Sequence, residues 1–400
     1  MAAGIKRPSA LVLAPEAPYP VIGGGPLRTA SLLEYVSQHF ATDVFTCRQP
    51  GAPDPLAAFP PDRFRRLHAF TLPSHRSSTA ARAYRNLDRL RRGMPPLLDR
   101  FQSLGPTLSA WIQGQHYDVA IVEHFWCAPH AARLRPHADQ LILDLHNIES
   151  RWHTTCAMNE TGPARWAHRR FAASYRALER TYVPAYHHIL VTSRNDASHL
   201  ASLVPEELLT VYPNTLPLHP VPQTRREHAV VFSGNLEYLP NIQAIRYFHA
   251  EIWPLIRRQF PEIAWRLIGR NPQAVRSIVA GDQRIELIGP VEDAIEHLAK
   301  AEVAIVPLRS GSGTRLKILE AWAANTPVVT TAIGAEGLEG HPDIHWLIGD
   351  SPADFASKVH LLLTNSSLAK QIAGAARQQF EQYYTWPVAW STLPMLLKGH

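Results

Sequence analysis

The chain is poor in lysine and cysteine and has no long apolar run. Six lysines stand against 34 arginines, and the three cysteines are scattered without metal-ligand spacing. Few, unpaired cysteines are typical of reduced thiols, which predicts a cytoplasmic protein. No stretch approaches the ~20 apolar residues of a membrane helix. The apolar run at 10–14 is too short for a signal peptide and predicts a buried first strand.

An Asp-x-Asp pair is also absent from the sequence. Such paired carboxylates can hold a divalent cation on a diphosphate, so we expect no metal and no other cofactor. The helix-turn-helix, zinc-finger and RRM patterns are missing too, which argues against a nucleic-acid partner. The formal net charge of +6 then favours phosphorylated substrates or an anionic membrane face.

Arginine is concentrated in two segments with helical periodicity, 82–92 and 165–180. The apolar side chains expected on one side of each helix are Tyr84, Leu87 and Leu90, and Trp166, Phe171 and Tyr175. Solvated helix faces are one explanation for the arginines. The other is peripheral contact with the anionic inner face of the cell membrane, or with a phosphorylated acceptor.

Short apolar runs alternate with helical segments, which predicts parallel sheets with crossover helices. The proline-dense segment 213–222 predicts a stiff linker between two Rossmann-like domains. The expected strands are Ala10–Pro15, Thr42–Cys47, Asp118–Glu123, Leu141–His146, Ile189–Ser193 and Thr210–Tyr212, then Ala229–Ser233, Trp265–Ile268, Ile285–Ile288, Val303–Val306, Val328–Thr331 and Trp346–Ile348. Residues 48–117 fit this pattern poorly and are expected to be loop and helices.

The most informative segment is 311–322, which follows the apolar run 303–308 and opens a helix. A glycine-rich turn between strand and helix presents backbone N–H groups at the positive end of the helix dipole, where an anion binds. The residues of this turn are Gly311, Ser312, Gly313 and Thr314.

Two cations and a carboxylate follow that turn. Arg315 and Lys317 lie in the first helical turn, where a cation opposes the dipole unless a bound anion compensates. A diphosphate would compensate, and Glu320 could accept hydrogen bonds from sugar hydroxyls. An ordinary turn with solvated basic residues is the alternative.

A second glycine run follows the first predicted strand. Gly23, Gly24 and Gly25 would let the backbone approach a ligand closely, although they could also form a flexible turn. The pattern is not G-x-G-x-x-G, so a dinucleotide site is poorly supported. Arg28, in the helix that follows, could reach an anion.

Two predicted strands of the first half end in polar residues. His146 closes the fourth strand, where a cleft would lie, although a lone histidine is often structural. The preceding strand ends at Glu123 and His124. Because neighbouring strand residues point to opposite faces, only one of these two is expected to point inward.

The segment 303–337 resembles the donor-binding region of family 4 glycosyltransferases, retaining enzymes of the GT-B fold that use nucleotide-activated sugars. The resemblance extends through 231–235 and 265–270 and to the end of the chain, and it is thin in the N-terminal half. It implies an α/β protein with two Rossmann-like domains facing a cleft. The implied domains are an acceptor-binding domain at 1–220, joined by a returning C-terminal helix at 384–400, and a nucleotide-sugar-binding domain at 221–383.

The resemblance also implies roles for single residues. Catalytic roles fall to His146, Arg315, Lys317 and Glu320, with His146 contacting the transferred sugar and Glu320 holding the ribose. The implied donor-binding residues are Gly234, Asn235, Arg270, Val291, Gly311, Ser312, Gly313 and Thr314. The implied acceptor and phosphate loop comprises Gly23, Gly24, Gly25, Arg28 and His124.

Three positions depart from the family pattern. Relatives often have an arginine and a lysine where this chain has Asn235 and Asn241, and a glutamate where it has Ser312. One interpretation is loss of catalysis. The interpretation we favour is that Arg315 and Lys317 replace the missing cations and stabilise the leaving diphosphate.

The expected function is metal-independent, retaining transfer of a sugar, most simply a hexose, from a nucleoside-diphosphate sugar such as a UDP-sugar. The acceptor would be a hydroxyl of a saccharide, a lipid-linked molecule or a small molecule, as in bacterial polysaccharide or natural-product assembly. A non-catalytic sugar-nucleotide binder or partner subunit is the alternative, favoured by Ser312 and Asn235. A nucleotide-sugar epimerase is less well supported, because it would need further carboxylates.

Overall fold

The computed structural model describes residues 7–21, 23–74, 78–311 and 315–394. Ser312, Gly313 and Thr314, which the sequence places in the anion-binding turn, lie outside the described residues. The described chain divides into two compact units. The first contains the residues up to Ala157, Thr161–Pro213 and those from Trp390 onward, and the second contains Met158–Glu160 and Asn214–Ala389.

The first unit is built on a parallel sheet of seven strands in the order β3-β2-β1-β4-β5-β6-β7. The strands are β1 Ser9–Ala14, β2 Ala41–Arg48, β3 Arg66–Thr71, β4 Tyr117–Glu123, β5 Ala138–Asp144, β6 His188–Val191 and β7 Leu209–Val211. The central strands are almost entirely buried, as expected for a parallel sheet covered on both faces.

Helices connect these strands as crossovers. They are α1 Gly24–His39, α2 Thr79–Arg92, α3 Pro96–Phe101, α4 Gly105–Ile112, α5 Ala131–Leu134, α6 Glu149–Asn159, α7 Gly162–Tyr182 and α8 Arg194–Leu200. Short 3-10 turns lie at Pro55–Ala58, Gln102–Leu104, Phe125–His130, Arg135–His137, Val183–Ala185 and Glu206–Leu208. α1 begins directly at the glycine run, with Gly23 at φ 93° as its N-cap.

The second unit has a parallel sheet of six strands in the order β10-β9-β8-β11-β12-β13. The strands are β8 Glu227–Ser233, β9 Ala264–Ile268, β10 Ile285–Gly289, β11 Ala301–Val306, β12 Val328–Thr330 and β13 Leu347–Ile348. The helices are α9 Leu239–Tyr247, α10 Trp253–Gln259, α11 Gln273–Val279, α12 Ala294–Ala299, α13 Leu316–Ala323, α14 Ala332–Ala335, α15 Pro352–Thr364, α16 Ser366–Tyr383 and α17 Trp386–Trp390. A π-helical segment, Phe248–Ile252, joins α9 to α10.

Each strand order reverses at one point, between β1 and β4 in the first unit and between β8 and β11 in the second. Open α/β sheets bind ligands beside the carboxyl ends of the strands at such a switch point. The loops after these four strands carry the glycine run, the Glu123–His124 pair, the Gly234 turn and the segment that leads into α13. Strand order alone therefore places the predicted site residues where ligands are expected.

The structure differs from the sequence prediction in three places. Residues 48–117 contain β3, which pairs with β2 at the sheet edge. This strand is half-buried along most of its length and carries Arg66 and His68, so it lacks the apolar signal of the inner strands. The unit boundary falls after Pro213 rather than after 220, and the C-terminal return begins at Trp390 rather than at 384. Residues 395–400 lie outside the described part.

Trp390 belongs to the first unit, where its indole Nε1 donates to the backbone oxygen of Ser31 at 3.0 Å. The returning C-terminus of the predicted fold is thus anchored on α1. Among the described residues, no helix is both long enough and apolar enough to cross a membrane.

Candidate functional site

In the second unit, the loops after β8 and β9 meet through two glycines whose backbone conformation is rare for residues with a side chain. Gly234 has φ 140° and Gly269 has φ 144°. A Cβ atom on Gly269 would lie 1.7 Å from the carbonyl oxygen of Gly234. The backbone amide of Gly234 donates to Ile268 at 3.0 Å, and that of Leu236 donates to the Arg270 carbonyl at 2.9 Å. The Gly234 turn is therefore fixed by direct backbone contact.

Lys317 reaches this turn from α13. Its Nζ donates to Oδ1 of Asn241 at 2.6 Å, and Nδ2 of Asn241 donates to the backbone oxygen of Asn235 at 2.7 Å. The ammonium also lies 4.3 Å from the ring centroid of Phe232, a cation–π distance. A Cβ atom on Gly234 would come within 3.1 Å of Nζ. Lys317 therefore places its amino group against the loop that carries Asn235 and Asn241.

Burial makes protonation of the Lys317 amine unfavourable. The pKa of Lys317 is lowered to about 7, because desolvation together with the charge of Arg315 outweighs the raising effect of Glu320. A buried lysine poised near neutrality favours an anion, because a bound phosphate would restore its charge.

Glu320 lies one turn along α13 and accepts a hydrogen bond from Oγ of Ser233 at 2.9 Å. Burial raises the pKa of Glu320, the Ser233 hydrogen bond and Lys317 lower it, and the charge of Asp293 raises it. Two neighbouring strands, β8 and β11, thus bring Ser233, Lys317 and Glu320 together.

Arg315 caps α13 and is buried. Its Nη2 donates to the carbonyl oxygen of Ile333 at 3.3 Å, and a Cβ atom on Gly311 would lie 3.3 Å from its Nη1. Gly311 has φ 121°, a conformation that favours glycine. The two ends of the predicted anion-binding turn therefore lie against each other.

The remaining donor-side residues lie in the loops after β8, β9 and β10. Oδ1 of Asn235 accepts from Nδ2 of Asn271 at 3.1 Å, while the side chain of Arg270 is exposed. Val291 is half-buried in the loop before α12, whose N-cap Asp293 accepts from the amide of Ile295 at 2.8 Å. The negative charge of Asp293 raises the pKa of Glu320.

In the first unit, His146 lies in a buried cluster at the ends of β4 and β5. Its Nε2 is 3.0 Å from Oε2 of Glu123 and 3.4 Å from Oδ2 of Asp144. Burial lowers the pKa of His146, but the hydrogen bonds and charges of the two carboxylates outweigh it and leave the pKa raised. Burial raises the pKa of Glu123, whose Oε2 also accepts from Oγ1 of Thr29. His146 is thus held between two carboxylates.

Arg28 does not present its charge to an open loop, in contrast to the sequence expectation. It is buried, and its Nε donates to the two oxygens of Asp144 at 2.9 and 3.2 Å. Its Nη1 donates to the carbonyl oxygen of Tyr212 at 2.6 Å. Burial raises the pKa of Asp144, but the charges and hydrogen bonds of Arg28 and His146 together outweigh it and leave the pKa lowered. Arg28 therefore stabilises the strand ends from within.

The expectation that only one of Glu123 and His124 points inward is wrong. His124 follows β4 with φ 60°, which breaks the strand alternation. Its ring lies 3.6 Å, centroid to centroid, from that of His146 and 4.3 Å from that of Trp126. Burial lowers the pKa of His124 well below its usual range, and His146 and Arg28 lower it further.

The glycine run of the first unit lies beside these histidines. A Cβ atom on Gly25 would come within 3.1 Å of Oε2 of Glu16 and 3.7 Å of Nε2 of His124. Gly24 and Gly25 form the first turn of α1, where backbone N–H groups have no helical partner. The structure therefore gathers Gly23, Gly24, Gly25, His124 and His146 at one sheet edge.

Within the described residues, one group places three potential metal-ligand atoms within 4.8 Å of one another, namely Glu123, Asp144 and His146. Arg28 is paired with both oxygens of Asp144, and its charge would repel a cation. The arrangement fits an internal acid–base network better than a metal centre.

The sequence analysis did not single out the roles of Ser233, Asn241, Glu123 and Asp144 as partners of the predicted residues. Asp144 ends β5 and His146 follows two positions later, a spacing that puts two side chains on the same side of an extended chain. The contacts of Ser233 and Asn241 depend on the pairing of β8 with β11, which no local pattern reveals.

The matched family model covers residues of the second unit. Residues 227–365 match the family model described as glycosyl transferases group 1. An uncharacterized 44.6 kDa protein in the cps region of Klebsiella pneumoniae is 24% identical over 163 residues, 39% of this chain and 42% of that protein. The match thus spans less than half the length of this curated relative.

Solved structures match the whole chain. Sucrose-phosphate synthase from Thermosynechococcus elongatus has a TM-score of 0.74 at 16% identity and covers 98% of both chains. HepE of Anabaena, in complex with UDP and glucose, has a TM-score of 0.66 at 13% identity and covers 98% of this chain and 99% of that one. At these identities the likeness concerns the fold. The chain has the two-sheet GT-B fold, and its residues 227–365 are similar to the group 1 glycosyl transferases.

Proposed function

We propose that the protein transfers a sugar from a nucleoside-diphosphate sugar to an acceptor hydroxyl, with retention of the anomeric configuration and without a metal ion. The observation that carries the proposal is the meeting of Lys317, Asn241 and the Gly234 turn at the switch point of the second sheet. A buried cation beside a glycine turn fits a diphosphate, and the matched family is one of glycosyl transferases.

The proposed chemistry depends on the negative charge that develops on the donor diphosphate during transfer. As the anomeric bond breaks, negative charge grows on the leaving diphosphate, and Lys317 and Arg315 are fixed cations that stabilise it. A diphosphate oxygen on the same face of the sugar accepts the acceptor proton, so the new bond forms on that face. Glu320 holds the ribose hydroxyls, and His146 donates a hydrogen bond to the transferred sugar. No side chain serves as a nucleophile in this scheme.

The donor is proposed to be a UDP-hexose, since HepE of Anabaena is seen with UDP and glucose. The acceptor is proposed to be a saccharide, a lipid-linked sugar or a small molecule. We further propose a cytoplasmic location, because Cys47, Cys127 and Cys156 are buried thiols that form no disulfide.

The proposal is tested by incubating the full-length protein with a panel of nucleotide sugars and measuring nucleotide release, with and without sugar acceptors. We expect slow donor hydrolysis with one or two donors, unchanged by excess EDTA. An NMR spectrum of the product should show the donor's anomeric configuration. Activity that EDTA abolishes and Mg²⁺ or Mn²⁺ restores would contradict the metal-free scheme, and inversion would contradict the retaining one.

A non-catalytic nucleotide-sugar binder is the second candidate. It is favoured by Asn235, which stands where relatives often have an arginine and is engaged by Asn241 and Asn271. Tight nucleotide binding without turnover of any donor would support this candidate against the transferase.

A further inference from the structure

Helix α2 presents its apolar stripe to solvent. Ala80, Ala83, Tyr84 and Leu87, spaced to share one helix face and called here the α2 stripe, are all exposed. The side chains of Tyr84 and Leu87 are the most exposed of the four, with residue exposures of 75% and 66%. An amphipathic helix on a globular protein normally buries its apolar stripe, so this orientation leaves apolar area without a cover.

One arginine of α2 is turned inward instead. Arg89 is buried, and its Nε donates to Oδ2 of Asp99 at 2.9 Å. Arg92 pairs with Asp88 at 2.8 Å and with Asp99 at 3.2 Å. The pairs of Arg89 and Arg92 with Asp99 join α2 to α3 and hold the helix in this orientation. The exposure of Tyr84 and Leu87 is therefore a consequence of specific contacts.

Helix α7 adds a second exposed aromatic residue beside α2. A Cβ atom on Gly93, the C-cap of α2, would lie 3.0 Å from Nη2 of Arg170 and 3.1 Å from Oγ of Ser174, so the two helices touch there. Trp166, one turn before Arg170 on the same face, is 58% exposed. Exposed tryptophan, tyrosine and leucine side chains together suit the interface of a lipid bilayer.

The charge around these apolar groups is strongly positive. α2 contains five arginines and one aspartate, and α7 contains five arginines and one glutamate. Arg82 and Arg91 of α2 and Arg169 and Arg170 of α7 are exposed. Such arginines can pair with the anionic headgroups of a lipid bilayer. The exposed aromatic and aliphatic side chains beside them can enter the boundary with the acyl chains.

We propose that the α2 stripe, together with the Trp166 face of α7, seats the protein on an anionic lipid bilayer. Tyr84, Leu87 and Trp166 enter the interface, and the surrounding arginines bind headgroup phosphates. The protein lies on the membrane surface through these helices and does not span it. Binding to vesicles requires neither donor nor acceptor, so it is independent of the transferase proposal.

The test is flotation of the full-length protein with vesicles of phosphatidylcholine containing phosphatidylglycerol, and with vesicles of phosphatidylcholine alone. We expect binding to the anionic vesicles, weaker by about ten-fold or more on neutral vesicles and in high salt. The double variant Tyr84→Ala/Leu87→Ala should lose about ten-fold in partitioning, because Ala preserves the helix but removes the apolar area. Arg91→Gln/Arg169→Gln should lower binding to anionic vesicles alone.

Matched variants control for general surface effects. Ile344→Ala/Leu361→Ala removes exposed apolar groups of the second unit, and Arg225→Gln/Arg258→Gln removes exposed charges there. Both should bind like the parent protein. Equal binding by Tyr84→Ala/Leu87→Ala and the parent would overturn the proposal, as would equal binding to neutral and anionic vesicles. Light scattering could instead show that the parent protein is a dimer and that only Tyr84→Ala/Leu87→Ala is a monomer. That result would also overturn the proposal, because a second copy of the protein would then cover the α2 stripe.

Discussion

Nζ of Lys317 donates a hydrogen bond to Oδ1 of Asn241 across 2.6 Å, although 76 positions separate the two residues in the chain. Asn241 stands where related sequences often have a lysine, and the α13 lysine brings its charge to that place. This geometry is the one expected if a cation from α13 takes the place of the cation missing from the other loop. This contact favours a working donor site over a degenerate one.

The first prediction concerns the protonation of Lys317. Its pKa of about 7 means that it is charged below neutrality and largely neutral above it. Because a diphosphate binds the charged form, affinity for UDP should be highest below pH 7. It should then fall by up to about ten-fold per pH unit as the pH rises through and above 7. Calorimetric titration between pH 6 and 9 measures this change and the accompanying proton uptake.

Substitution distinguishes Lys317 from other titrating groups. Lys317→Gln should weaken UDP binding at pH 6 and remove most of the pH dependence, and it should slow transfer by on the order of 10²-fold. Lys370→Gln, at an exposed lysine of α16, should leave the profile unchanged. An unaltered pH profile in Lys317→Gln would place the diphosphate elsewhere.

The second prediction concerns Glu320 as the ribose ligand. Glu320→Ala should raise the donor KM strongly, since hydrogen bonds from hydroxyls to a carboxylate contribute about 1.5–3 kcal/mol. A 2′-deoxy donor should reproduce part of this loss with the parent protein. The variant should then discriminate little between the two donors. If parent and variant discriminate equally, Glu320 does not hold the ribose.

The fold was largely predictable from the sequence, because inner parallel strands are continuous apolar runs bounded by turns. β3 was missed because an edge strand with arginine and histidine gives no such run. The Gly311–Lys317–Glu320 cluster was predictable from local chemistry. Its partners were not, because the Lys317–Asn241 contact depends on tertiary packing.

The third prediction concerns the pairing of Glu123 with His146. Loss of the negative charge in Glu123→Gln should lower the pKa of His146, leaving it charged only at lower pH. Asp144, Arg28, His124 and Glu149 also act on this ring and remain in the variant. NMR titration of the His146 ring measures the shift directly, and the acid limb of the transfer rate should move with it.

Glu16→Gln is the matched control for this change, because Glu16 is an exposed carboxylate beside His124. It should move the His146 pKa much less than Glu123→Gln does. A histidine whose titration is the same in all three proteins would show that Glu123 does not set its charge.

The last prediction concerns the glycine contact under the donor loop. Gly269→Ala should destabilise the protein severely, since its Cβ would lie 1.7 Å from the Gly234 oxygen and its φ of 144° disfavours any side chain. Gly281→Ala is the matched control, because φ there is 90° but no atom lies within 4 Å of the added Cβ. Backbone strain alone costs about 1–3 kcal/mol, so Gly281→Ala should lower the free energy of unfolding by about that amount.

Urea unfolding should show a clearly larger loss of stability for Gly269→Ala than for Gly281→Ala. The Gly269→Ala protein that still folds should also bind UDP more weakly. Equal losses in the two variants would mean that the β8 and β9 loops can separate, and that the Gly234 turn is not held by this contact.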